Sequence, residues 1–282
     1  MTHAVIVSQG RVADRTAGAL TGARLTGEAL GTYLGVRPVV IGNPSAPQED
    51  RWEESLPAAK PVLDGLRKAL RAALDAGETP VLATNTCAAS LATLPEVASR
   101  EPEAVVLWID AHGDFNTPET TESGYLGGMV LAAACGRWES GHGAGLDPKR
   151  VALVGARDID PQERRLLDDA GVRILGPSES TPQNVTEFVD GRPVWIHVDW
   201  DVLEPGYVPA AYRVPEGLFP HQVAELFAAI PRELIRGVEF AEFEAVELDD
   251  VGLNGAGLDG GVPQHLSVEL ILETFQHLVA PR

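Results

Sequence analysis

Cysteine is nearly absent: the 282 residues contain two, Cys87 and Cys135. Two thiols cannot build a disulfide framework, and so low a count suits a reducing compartment, so a cytoplasmic location is expected. Positive charge is scarce as well, with 22 Lys and Arg against 41 Asp and Glu and a formal charge of −19. A surface of that sign repels phosphate backbones and anionic headgroups, which argues against nucleic acid and membranes as partners. No apolar run reaches the length of a membrane span, and the opening MTHAVIVSQGR lacks a basic stretch followed by a long apolar one. Neither a span nor a secretion signal is expected.

What is present is a repeated pattern of short runs rich in Val and Ile: Ala4–Val7, Val39–Ile41, Val81–Ala83, Val105–Ile109, Val151–Val154, Val172–Leu175, Val194–Val198 and Gly237–Phe240. These read as buried strands. Segments with helical spacing lie between them, including the stripe Val62, Leu63, Leu66, Leu70, Ala73 and Leu74, and also Gln162–Ala170, His221–Ile230 and Ser267–Val279. Strand and helix alternating along the chain predict a three-layer α/β/α fold with a mostly parallel central sheet, in one domain spanning residues 1–282. The Pro- and Gly-rich stretches Gly42–Pro57, Gly136–Pro148 and Val251–Pro263 read as surface loops.

Two of the strands run directly into acidic clusters. Trp108-Ile109 leads into Asp110-Ala111-His112-Gly113-Asp114, and Val194–Val198 leads into Asp199-Trp200-Asp201. In an extended segment alternate residues share a face, and the carboxyl ends of parallel strands are where α/β proteins hold ligands. Four aspartates gathered there would repel one another unless cations neutralise them. Oxygen donors with one imidazole suit a hard divalent ion such as Mn2+, and the number of carboxylates allows two ions. A water between such ions would be acidified into a hydroxide nucleophile. His197, on the alternate face from Ile196 and Val198, reads as a satisfied core histidine.

In combination these motifs resemble the arginase (ureohydrolase) superfamily. The stretch from Asp110 to Gly124, Asp-Ala-His-Gly-Asp-Phe-Asn-Thr-Pro-Glu-Thr-Thr-Glu-Ser-Gly, resembles one of its metal motifs, and His197-Val-Asp-Trp-Asp-Val-Leu-Glu-Pro resembles another. Gly155-Ala-Arg-Asp-Ile-Asp-Pro-Gln-Glu and Gly237-Val-Glu-Phe-Ala-Glu extend the likeness. The resemblance implies the arginase fold, a binuclear Mn2+ centre and hydrolysis at a guanidino carbon. It implies Asp110 and Asp199 as metal bridges, Asp114 as ligand of one ion, and His112 and Asp201 as ligands of the other. Asp114 and Glu242 are the implied catalytic residues, Glu242 holding the guanidinium. Asn116, Thr121 and Ser123 match positions that bind a substrate α-carboxylate, and Asp160 and Glu163 match those facing its α-amino group. Asp160 before Pro161 also reads as a helix N-cap.

The departures sharpen the expectation. The family's Gly-Gly-Asp-His motif aligns with Thr84-Asn85-Thr86-Cys87, so Cys87 stands in place of a histidine ligand and is either a thiolate ligand or a small buried residue. Thiolate prefers softer ions than Mn2+, so the adjoining site is expected to bind manganese weakly or to favour another ion. Tyr125 and Gly127 replace an asparagine and a histidine that resemblance links to proton shuttling. Losing that acid slows release of a basic amine, whereas an N-hydroxylated guanidine is less basic. With these departures, the resemblance implies an amino-acid substrate, Nω-hydroxy-L-arginine, split to hydroxyurea and L-ornithine by metal-bound hydroxide. Arginase, agmatinase, formimidoylglutamase and a catalytically silent ligand-binding relative are the alternatives.

Overall fold

The structure, a computed structural model, describes residues 2–245 and 264–279. Eight strands form one sheet: β1 (His3–Ser8), β2 (Val39–Ile41), β3 (Thr79–Ala83), β4 (Val105–Ile109), β5 (Val151–Val154), β6 (Arg173–Leu175), β7 (Val194–Asp199) and β8 (Ile235–Ala241). Their order is β2-β1-β3-β8-β7-β4-β5-β6, and every pairing is parallel. Each apolar run expected to be a strand is one. The helices among the described residues are α1 (Gly18–Leu34), α2 (Trp52–Asp75), α3 (Ser90–Arg100), α4 (Val130–Ala134), α5 (Pro161–Ala170), α6 (Pro182–Val189), α7 (Pro220–Ala229) and α8 (Gln264–Val279).

Alternation along the strands divides the core into two layers. Val5, Val7, Leu107, Ile109, Ile196 and Val198 pack on one face with residues of α1, α6, α7 and α8. Ile6, Leu82, Val106, Trp108, Leu153 and Trp195 pack on the other with α2, α3, α4 and α5. Both sheet faces are thus covered, which is why the strands read as continuous apolar runs instead of alternating ones.

One local reading changes. Gly42–Pro57 was expected to be loop throughout, yet α2 begins at Trp52 and carries Pro57 and Pro61 inside it. Both prolines are exposed and one turn apart, so the carbonyls they leave unbonded face water, which lowers the usual cost of a helical proline. Gly136–Pro148 is mostly irregular, as expected, and Val251–Pro263 lies outside the described residues. Helix α1 contains Gly18, Gly22, Gly27 and Gly31, a composition poor in helix propensity. Packing explains it: a Cβ on Gly22 would lie 1.7 Å from the Phe243 carbonyl oxygen, so only glycine lets α1 approach the chain leaving β8.

Candidate active site

The four central strands, β3, β8, β7 and β4, are neighbours in the sheet, and the chain leaving the carboxyl end of each carries a candidate residue. Cys87 follows β3 in a 3-10 turn, Glu242 follows β8, Asp199 ends β7 with Asp201 in the next turn, and Asp110, His112 and Asp114 follow β4. Sequence separation is large, but the parallel sheet brings these ends to one edge.

The two acidic motifs share a local device. His112 N–H donates to Asp110 Oδ1 at 2.7 Å, and Asp201 N–H donates to Asp199 Oδ1 at 2.8 Å. Each first aspartate therefore bends its own backbone two residues on, as Asx turns do. This corrects the expectation of extended, alternate placement: residues 110–112 form a bend, and Asp114 has left-handed backbone with φ 48°. The side chains converge because the chain turns, not because a strand continues.

Ligand atoms converge into overlapping groups. Cys87, Asp110 and Asp114 offer donors within 4.8 Å of one another, as do Asp110, His112 and Asp201, and Cys87, Asp199 and Glu242. Asp110 belongs to two groups, as does Cys87. Cys87 Sγ donates to Asp199 Oδ2 at 3.1 Å, His112 Nδ1 lies 3.0 Å from Asp201 Oδ2, and Trp108 Nε1 donates to Asp110 Oδ2 at 3.0 Å. Glu242, with φ 62°, accepts from the Cys87 backbone N–H at 3.1 Å and from the Tyr125 hydroxyl at 2.9 Å.

Electrostatics make a divalent ion fit this donor set. Burial first, then neighbouring carboxylates, push the Asp114, Asp199 and Glu242 carboxyls well above the ordinary range, and Asp201 up to about 6. Burial and the same carboxylates push the Cys87 thiol up as well. Burial disfavours the His112 imidazolium, but Asp110 and Asp201 outweigh it and hold its pKa above normal. For Asp110, burial is likewise outweighed by His112, and its carboxyl is lowered. Asp114 Oδ2 is buried with no hydrogen-bond partner. A buried, mutually repelling set with an orphaned oxygen is what cations would satisfy.

Above these groups is a pocket of about 220 Å³. Cys87, His112, Asp114, Asn116, Ser123, Tyr125, Asp160, Glu163, Asp199, Asp201 and Glu242 line it, together with Gly127. Asp110 lies beneath, fully buried. Thr121 is not among the lining residues; its hydroxyl accepts from Gly124 N–H at 3.0 Å and closes a turn. Asp160 occupies the N-cap position of α5, but its side chain makes no capping bond. Glu163 supplies the helix start instead, accepting from the Asp160 backbone, and it also accepts from Phe115 N–H at 2.8 Å. Burial raises its pKa to about 7.

Arg15 and Tyr212 line the pocket without belonging to any motif, and Asp158 lines it without having been singled out. Asp158 lies 3.8 Å from His112 Nε2, inside the Gly155–Glu163 stretch already noted. Arg15 sits over the Tyr125 ring at 4.9 Å, and Tyr212 packs on that ring with centroids 5.2 Å apart. Arg15 follows β1 and Tyr212 lies in the long segment after β7, so only their position beyond the carboxyl end of a strand could have marked them.

Residues 33–250 match the Arginase family. The chain belongs to it. It is 54% identical over 241 residues to the N(omega)-hydroxy-L-arginine amidinohydrolase of Streptomyces lavendulae, covering 86% of this chain and 88% of that one. The arginase of Bacillus caldovelox is 28% identical over 218 residues, 71% of this chain and 72% of its own. Among solved structures, an Entamoeba histolytica arginase in complex with L-ornithine superimposes with a TM-score of 0.82 at 22% identity, over all of both chains. The eight-stranded parallel sheet is therefore the arginase fold, and the family membership makes the chain a hydrolase.

Proposed function

We propose that this arginase-family enzyme hydrolyses Nω-hydroxy-L-arginine to hydroxyurea and L-ornithine with two Mn2+ ions. One feature of the pocket carries the reading: Glu242 is held by the Cys87 backbone and by Tyr125, two residues that depart from the arginase pattern. The 54% identical relative named for that substrate supports it.

Asp110, Asp199, Asp114, His112, Asp201 and Cys87 would hold the ions, whose charge supplies an acidified water. Glu242 receives the guanidinium N–H groups, and Tyr125 fixes the Glu242 carboxylate by donating to it. Asp114, with an unpartnered buried oxygen, accepts the proton that water loses on adding to the guanidino carbon. It returns that proton to the δ-nitrogen as the bond between that nitrogen and the guanidino carbon breaks, so hydroxyurea and ornithine together account for every atom of substrate and water. Asn116 and Ser123 bind the α-carboxylate, with Thr121 shaping their loop, and Asp160 and Glu163 face the α-amino group. The acidic composition supports a small-molecule partner, and the two-cysteine content supports a cytoplasmic setting.

Steady-state kinetics on Mn2+-loaded protein test the reading with Nω-hydroxy-L-arginine, L-arginine and agmatine. The expected order is hydroxyarginine first, with kcat/KM about 10²-fold or more above arginine, the scale of one lost general acid, and agmatine last. A preference for arginine or agmatine overturns it.

A further inference from the structure

Behind the candidate metal centre lies a buried polar cluster that the proposed reaction leaves unused. His197 on β7 is fully buried, its ring stacked on the Trp108 indole with centroids 3.6 Å apart and planes 5° from parallel. Its Nδ1 lies 3.0 Å from Glu239 Oε2 on β8 and 3.2 Å from Ser90 Oγ, and Ser90 donates to the same Glu239 oxygen at 2.6 Å. Strand register sets this arrangement, since His197 pairs across β4 with Trp108 and across β8 with Glu239. The other ring nitrogen, Nε2, is 3.3 Å from Cys87 Sγ, which in turn donates to Asp199.

An apolar side chain at 197 would fill this space without removing an imidazole and a carboxylate from water, a transfer that is costly unless every polar group is matched. Glu239 Oε1 is in fact left without a partner. What the polar version adds is a ring nitrogen in contact with the sulfur. The ring cannot swing away, because the indole covers its face and Glu239 and Ser90 hold its far edge. Cys87 cannot retreat either, since its backbone N–H is tied to Glu242. An imidazole at 87 would project a whole ring past the position of Sγ, into a side chain already at contact distance.

We propose that His197, clamped by Glu239, Ser90 and Trp108, is a positioning residue that aims Cys87 Sγ at the metal ions, and that residues 87 and 197 form a size-matched pair. The inference rests on the ligand role proposed above for Cys87. It goes further in assigning the orientation of that ligand to a residue that touches neither substrate nor ion, and in making histidine at 87 incompatible with histidine at 197.

The test uses full-length protein loaded with Co2+, without substrate, because a cobalt–thiolate bond gives an intense near-ultraviolet charge-transfer band. The band is expected in the wild type and is expected to fall by about half or more in His197→Ala, with Mn2+ affinity dropping roughly 10–100-fold, the usual effect of losing a group that orients a ligand. No band in the wild type removes Cys87 as a ligand and this inference with it. A wild-type band that persists undiminished in His197→Ala overturns the positioning role alone. Should His197→Ala fail to fold, the pair decides. Cys87→His is expected to lower Tm and load fewer than two ions, and Cys87→His combined with His197→Ser to regain both. Equal behaviour of the single and double variants overturns the size match.

Discussion

The two flanks of the acidic floor share aspartates but are held in different ways. On the His112 flank, Asp110 and Asp201 accept from an imidazole and from backbone N–H groups of Ala111 and His112, and His112 is only half-buried. One imidazole offsets part of the charge of the two carboxylates there, although Asp201 is still pushed up to about 6. On the Cys87 flank no cationic group of the protein is in hydrogen-bond reach of Asp199 or Glu242 among the bonds described, and Cys87, Asp114, Asp199 and Glu242 all titrate far above their ordinary ranges because burial and mutual repulsion dominate. One flank thus carries part of its counter-charge in the fold, whereas the other has none within hydrogen-bond reach and needs it from outside.

The strongest way to break that comparison is to remove the residue that touches both flanks. Asp199 binds the Asp201 backbone on one side and accepts from Cys87 on the other. Asp199→Ala is expected to reduce hydrolysis to background while leaving the far-ultraviolet circular dichroism unchanged; measurable turnover would contradict its bridging role. Next in size is an asymmetry in metal release. Stepwise chelation, followed by elemental analysis and electron paramagnetic resonance, should show the Mn2+ on the Cys87 flank leaving first, because thiolate suits Mn2+ poorly. Loss of both ions in one step would make the flanks equivalent. Tyr125→Phe comes third: it removes a bond to a buried carboxyl, worth about 1.5–3 kcal/mol, so kcat/KM should fall roughly 10–100-fold and Tm by a few degrees.

These expectations could be framed because much of the floor was legible in the sequence. Period and composition marked all eight strands, since strands buried on both faces leave unbroken apolar runs. The pairs Asp110/His112 and Asp199/Asp201 were legible as candidates because their side chains stand two residues apart at strand ends, whereas the turns that gather them were not. What escaped was set by packing between distant segments. Arg15 and Tyr212 reach the pocket only because the loops after β1 and β7 close over Tyr125. The contact of His197 with Cys87 depends on strand order, which no local pattern encodes. The start of α2 was hidden because Pro57 and Pro61 signal a loop until their exposed placement is known.

The smallest expected effect lies beside the Cys87 flank, at Glu244. Its side chain accepts from the Thr16 hydroxyl and sits 5% exposed, and burial raises its pKa from 4.5 to about 7. A carboxyl raised on folding keeps its proton longer in the folded state than in the unfolded one. Its contribution to stability is therefore complete below about pH 4.5 and is lost as pH rises to about 7, with no further change above. Glu244→Gln keeps the shape and the hydroxyl contact but cannot ionise. The variant should match the wild type near pH 4 and exceed it at pH 8 by on the order of 1–3 kcal/mol, several degrees in Tm. Comparing paired melts at each pH cancels the titration of every other carboxylate, so a difference that stays flat from pH 4 to 8 would show that Glu244, unlike its neighbours on this flank, is already relieved of the cost of its charge.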